Sequence, residues 1–279
     1  MKSLRQIFFY SIAIYAININ ADEIDKSYQE QSLLSVLYAQ TSAEYSANNM
    51  QTYKNAKIAL DKAIIDMNWS AALEQKNNFS NKKPAIILDV DETVLDNIAF
   101  QARAIINGLS YPNGWVDWAQ EGKATAVSGV REFLKYAQEK GVKVFYVTNR
   151  IHILEDATRE NIIKLGLPFD TDRDVLLMRD ENGWTGDKTA RRELIAKDYR
   201  ILLMFGDQLT DFISSEESSI FHTERKKIAD KYSNMWGEKW FMITNPMYGR
   251  WEYSIYNNQN PGSEEKAIEL RKQALNTEN

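Results

Sequence analysis

The sequence predicts an α/β fold: a Rossmann-like parallel sheet flanked by helices, with an accessory helical part drawn from the N- and C-terminal segments. Three observations predict it. From residue 84 onward, short apolar and β-branched segments alternate with stretches of helical spacing, the pattern of a parallel sheet with crossover helices. Two of the helical stretches are closed by glycines, Gly141 and Gly166, the residue favoured just past a helix C-terminus. Several of the apolar segments run straight into charged or hydroxyl residues, as strands do where an open α/β sheet carries its ligand site.

Residues 1–21 are expected to be an export signal. Lys2 and Arg5 precede an apolar stretch from Ile7 to Ile17, and Ala21 stands before the polar Asp22: a basic region, a short apolar region and a small residue at a cleavage point. The stretch is about half the ~20 residues a spanning helix needs; a buried N-terminal helix is the alternative. Cleavage near Ala21 would leave a soluble periplasmic or secreted protein. The chain has no cysteine, which excludes disulfides, thiolate metal sites, cysteine nucleophiles and the cysteine of a bacterial lipid anchor, so no membrane anchor is expected. Losing Lys2 and Arg5 moves the formal charge from −5 to −7. Such a chain is a poor partner for a nucleic-acid polymer or an anionic membrane, yet it can bind a small anion through local donors and a metal.

Residues 22–83 read as an N-terminal helical part. No proline or glycine occurs between 28 and 76. Leu33, Leu34, Val36, Leu37 and Tyr38 form one apolar group, and Tyr53, Ala56, Leu60, Ala63, Ile64 and Met67 recur at helical spacing, which predicts two helices. Tyr45 and Tyr53 are expected in their core. Residues 84–256 form the core: strands over Ala85–Leu88, Val142–Val147, Val175–Met178, Ile201–Phe205 and Trp240–Ile243, and helices over Gly129–Lys140, Leu154–Leu165 and Lys188–Lys197. Residues 257–279 are a polar tail with a helix over Glu264–Leu275.

The most informative segment runs from Ile86 to Asp96. An apolar strand enters Asp89 and Asp91, whose i, i+2 spacing points both side chains the same way in a strand. A bound cation is the usual relief for close like charges, so this reads as a metal-assisted carboxylate site; an acidic helix N-terminus is the plain alternative. Thr148 follows the second strand, Lys188 the third, and Asp207 and Asp211 the fourth. Singly these are an N-cap, a surface lysine and turn residues. Together they converge on one sheet edge.

Phosphoryl transfer needs that combination, since charge on the transferring group must be neutralised and oriented. Mg²⁺ takes a few carboxylates and keeps several waters; Asp89 and Asp207 would offer side-chain oxygens and Asp91 its backbone carbonyl. Asp89 is then the nucleophile and Asp91 the acid/base. Lys188 and Thr148 hold the phosphate, and Asp211 orients Lys188 or a metal-bound water.

On these residues the chain resembles the haloacid dehalogenase-like phosphohydrolases, and among them the class C (bacterial nonspecific) acid phosphatases and 5′-nucleotidases. The resemblance rests on Ile87-Leu88-Asp89-Val90-Asp91-Glu92-Thr93-Val94-Leu95-Asp96-Asn97 and Val144-Phe145-Tyr146-Val147-Thr148-Asn149-Arg150. It is carried further by Gln40–Tyr45, Gly206–Phe212 and Tyr248–Glu252, and spans residues 30–253. It implies the same roles for Asp89, Asp91, Thr148, Lys188 and Asp207, and a homodimer. Three features depart from the family: no anchor cysteine, Phe100 in a tyrosine place, and Ser128 and Thr244 in proline places. They bear on substrate preference rather than on the reaction.

Two segments are rich in aromatics, Tyr111–Trp118, read as a loop, and Asn245–Trp251. The resemblance implies that Trp115 and Tyr248 clamp a nucleobase, for which stacking is worth ~1–3 kcal/mol per base; packing is the alternative, and it is the expected role of Trp118 and Trp251. Asn149 and Arg150 are placed beside the substrate, with a salt bridge at the site edge as the other reading of Arg150. His152 and His222 are too isolated for a histidine site, and Glu224–Lys227 reads as a solvated helix face. The leading expectation is an exported Mg²⁺-dependent phosphomonoesterase acting on nucleoside 5′-monophosphates, nicotinamide mononucleotide among them. A broad phosphatase or phosphotransferase without base preference and a non-catalytic binding protein stay open. A dehalogenase is disfavoured because Asp91 would have no leaving oxygen to protonate.

Overall fold

The computed structural model describes residues 29–278; the expected export signal lies outside the described residues. The two N-terminal helices form as the spacing predicts, over Leu33–Thr41 and Ala43–Ile65. They are separated by Ser42, whose hydroxyl accepts the Tyr45 N–H at 3.1 Å and so caps the second helix. Tyr45 and Tyr53 are both buried.

Seven strands follow: β1 (Lys83–Leu88), β2 (Leu95–Asp96), β3 (Thr125–Ala126), β4 (Lys143–Ile151), β5 (Leu176–Arg179), β6 (Tyr199–Gly206) and β7 (Trp240–Met242). Five make one sheet in the order β5-β4-β1-β6-β7, with every pairing parallel. Alternation along β1 divides the core. Ile86 and Leu88 pack with Tyr53, Phe133 and Ile162 on one face, and Ala85 and Ile87 pack with Ile195 and Ile228 on the other, so helices cover both faces. The chain leaves β1 outward to β4 and β5 and then returns to β6 on its other side. The order therefore reverses at β1, and the crevice beyond its carboxyl end is where ligands of open α/β sheets bind.

Two local features differ from the sequence reading. The expected aromatic loop contains the helix Trp115–Gln120; the helix Ile98–Ile106 precedes it, and the antiparallel ribbon β2–β3 encloses both, β2 before them and β3 after. Two-residue strands and a six-residue helix are too short to leave a period. Second, β4 does not stop at Val147. Its pairing with β1 ends at Tyr146, its register with β5 shifts between Val147 and Ile151, and Thr148, Asn149 and Arg150 lie in this overhang rather than in a following loop.

At the C-terminus the helix Glu264–Gln273 returns to the first of the described residues. Arg271 bonds to Glu252 and donates to Gln31 Oε1 at 2.5 Å, so both ends of the described chain contribute to the accessory part. Among the described residues no helix is long and apolar enough to cross a membrane.

Candidate active site

Three carboxylates meet at the carboxyl edge of β1 and β6: Asp89, Asp207 and Asp211 present oxygens within 4.8 Å of one another. The sequence explains the convergence. Asp89 directly follows β1, and β6 ends in Gly206, where a Cβ would overlap the Asp211 side chain. Lys188 reaches in from the start of the helix Thr189–Asp198, bonding to Asp89 Oδ1 and, at 2.7 Å, to Asp211 Oδ1. The second Asp211 oxygen accepts the Gln208 N–H at 2.9 Å, so both of its oxygens are engaged. Asp207 is held by Oδ2 alone, which accepts from Gln208 and Asn245 at 2.8 Å each. Among the described residues no hydrogen bond reaches Asp89 Oδ2 or Asp207 Oδ1.

The electrostatics of this group are unbalanced. Three carboxylates face one ammonium, so two negative charges are in excess when all three are ionised. Burial, and beyond it the carboxylates of Asp211 and Asp207, pushes Asp89 well above the usual carboxylate range in spite of Lys188. Burial and Asp211 raise Asp207 to about 7. Burial works against the charge on Lys188, but Asp211 and Asp89 hold its pKa above the ordinary lysine value. An all-oxygen donor set with two surplus negative charges and two free carboxylate oxygens fits a divalent hard cation.

Asp91 stands apart from the trio. Its Oδ1 accepts from Arg150 Nε at 3.0 Å, Arg150 Nη2 at 2.8 Å and Asn97 Nδ2 at 2.9 Å, while the side chain stays 19% exposed. Arg150 forms an ion pair with Asp91. Its guanidinium is buried, also donates to Thr158 and Asn97, and lies 5.4 Å from the Trp115 ring centroid.

Thr148 is fully buried, and its hydroxyl accepts the Arg150 N–H at 3.0 Å. Asn149 is exposed, but its amide is occupied, with Nδ2 donating to Gly186 O at 2.9 Å and Oδ1 accepting from Arg191 at 2.8 Å. Trp115 is half-buried, edge-on to Phe100 at 5.2 Å. Tyr248 is half-buried too, with its hydroxyl bonded to Glu92. Trp118 packs as expected, its indole N–H donating to Asn97 at 2.9 Å. Trp251 does not: it is 41% exposed and donates to Tyr248 O at 3.1 Å.

The sequence reading missed four contributors. Asn97 joins Asp91, Arg150 and Trp118. Glu92, fully buried and in the left-handed region at φ 58°, receives the Asn97 N–H at 2.9 Å and the Tyr248 hydroxyl; burial, reinforced by Asp91, raises its pKa well above normal. Arg191 and Arg192 are buried under the strand ends. A signal for the arginines was present. Lys188, Arg191 and Arg192 stand at i, i+3 and i+4, so they share one helix face, an arrangement unfavourable unless that face meets acceptors.

The sequence model of HAD superfamily, subfamily IIIB (Acid phosphatase) matches residues 10–251. The class C acid phosphatase from Bacillus anthracis is similar in structure, with 34% identity and a TM-score of 0.78, covering 90% of this chain and 99% of that chain. The same phosphatase with tungstate bound matches at 33% identity and the same TM-score and coverage.

Proposed function

The chain belongs to the acid phosphatases of HAD superfamily subfamily IIIB, and from that premise we propose an exported, Mg²⁺-dependent enzyme that hydrolyses nucleoside 5′-monophosphates through a phosphorylated Asp89. The family acts on small phosphorylated substrates; the finer elements rest on the residues. One observation carries the reading: Lys188 joins Asp89 to Asp211 while Asp207 faces the same space, as a nucleophile, a charge-balancing ammonium and a metal-binding carboxylate would need to do.

In this reading the Asp89 and Asp207 carboxylates and the Asp91 carbonyl would hold the cation, and Mg²⁺ bound there would neutralise the phosphoryl charge. Asp89 attacks phosphorus, forming the acyl phosphate as the bond to the ester oxygen breaks. Asp91 gives its proton to that leaving oxygen through the oxygen that Arg150 and Asn97 leave free. It then takes a proton from the water that attacks the phosphoryl group, releasing inorganic phosphate and restoring Asp89. Lys188 balances the phosphate charge, the Thr148 hydroxyl and the Asn149 edge line it, and Asp211 keeps Lys188 in place. Trp115 and Tyr248 serve the base. Export rests on the basic and apolar pattern of residues 1–21.

The test is phosphate release from a nucleoside 5′-monophosphate by the mature protein, with and without Mg²⁺, beside Asp89→Asn. Release that needs the metal and disappears in the variant is expected. No release from a nucleotide or an aryl phosphate, with metal present and the protein folded, would favour the binding-protein reading. A broad phosphatase without base preference is the second reading, because the Trp115 edge contact with Phe100 also suits a packing residue.

A further inference from the structure

Arg191 is fully buried in the first turn of the helix that Lys188 opens, and its guanidinium bridges two separate stretches of chain. Nη1 donates to the Thr148 carbonyl at 2.5 Å, and Nη2 to Asn149 Oδ1 at 2.8 Å. On the other side Nη2 reaches the carbonyls of Thr185 at 3.0 Å and Asp187 at 3.2 Å. Asn149 Nδ2 closes the same seam by donating to Gly186 O at 2.9 Å. The β4 overhang and the loop that delivers Lys188 are thus stitched together through one side chain.

Two features separate this arginine from a surface cation turned inward. All four acceptors are neutral, and among the described residues no carboxylate forms a contact ion pair with it, in contrast to its neighbour Arg192, which pairs with Glu74 at 2.7 Å. Burial lowers its pKa to about 10, with Asp89 the first of the charges opposing that shift, so it is cationic at neutral pH. A permanent charge not cancelled by a contact partner acts at longer range inside a protein than in water. The planar fork also matches a seam of several acceptors, which a lysine ammonium does not.

We infer that Arg191 is the positioning residue of the phosphate cradle: it locks Thr148 and Asn149 against the Lys188 loop and sets a positive charge beneath the phosphoryl group. The inference rests on the reading of Thr148 and Lys188 as the phosphate contacts. It concerns the end common to all substrates, so it is independent of any base subsite.

The experiment compares wild type, Arg191→Met and Arg191→Lys on a nucleoside 5′-monophosphate and on an aryl phosphate, with thermal midpoints and inhibition by inorganic phosphate measured alongside. Folded Arg191→Met is expected to lose at least about tenfold in kcat, by the same factor on both substrates, as supporting residues of catalytic groups typically do, and to be inhibited more weakly by inorganic phosphate. Arg191→Lys should recover most of the phosphate inhibition through its charge but not the kcat, because one ammonium cannot span the seam. Folded Arg191→Met with kcat and phosphate inhibition within about threefold of wild type, or a loss confined to the nucleotide, overturns the inference. So does failure of both variants to fold, since Arg191 would then serve the core alone. Absence of phosphate release by wild type would instead remove the underlying reading.

Discussion

Arg150 grips Asp91 by a single oxygen: Nε and Nη2 both donate to Oδ1, at 3.0 and 2.8 Å. Asn97 adds a third donor to the same atom, and among the described residues no hydrogen bond reaches Oδ2. A carboxylate held this way has one oxygen fixed and one available for proton transfer. The buried guanidinium also lies against Trp115, so Asp91 and Trp115 share one support.

Replacing Arg150 by Met should therefore damage catalysis more than binding. Asp91 would lose its orienting contacts, and about a 10–100-fold fall in kcat is expected, of the size seen when groups supporting reactive residues are removed. Steady-state kinetics with an aryl phosphate would check it; an unchanged kcat with a raised KM would show that Arg150 serves substrate binding instead.

Metal binding should be visible without turnover. A divalent cation that binds only the folded protein stabilises it by about 2.7 kcal/mol at a hundred times its dissociation constant. For a chain of this size that is roughly 5–10 °C in thermal midpoint. Titrating Mg²⁺ into chelator-treated protein should raise the midpoint in this way. Asp207→Asn, which keeps the shape and loses the charge, should abolish the rise.

Gly206 is expected to tolerate no side chain. A Cβ there would overlap Asp211, whose displacement would release Lys188. Gly206→Ala should cost about 1–3 kcal/mol, the usual penalty of overpacking, and should also remove most activity. Urea unfolding and phosphate release measured on one preparation would test the link; lost stability with full activity would mean that Asp211 can move without consequence for Lys188.

Trp115→Ala separates the two substrate readings. If its ring stacks on a base, kcat/KM should fall by about 5–150-fold on a nucleotide, equivalent to ~1–3 kcal/mol, and much less on a small aryl phosphate. Equal losses on both would make Trp115 a packing residue that supports Phe100 and Arg150.

By itself the sequence determined the alternation of strands and helices from residue 84, the two N-terminal helices, and the meeting of Asp89, Lys188, Asp207 and Asp211 at one sheet edge. These are local properties: burial repeats every second residue in a strand and on one face of a helix, and polar residues following an apolar strand mark its exit from the core. The span from Leu95 to Ala126 was not legible, because its strands are two residues long and one of its helices only six.

Tertiary structure alone decided how the charges are shared. Lys188 pairs with Asp89 across 99 residues, Arg150 with Asp91 across 59, and Arg191 meets Thr148 across 43. It left Asp211 with both oxygens engaged and Asp207 with one free, turned Trp251 outward, and placed Glu92 under Tyr248. A sequence lists which ionisable groups a site possesses. Which group neutralises which depends on distances of a few ångströms, and those exist only once the five parallel strands have brought their ends to one edge.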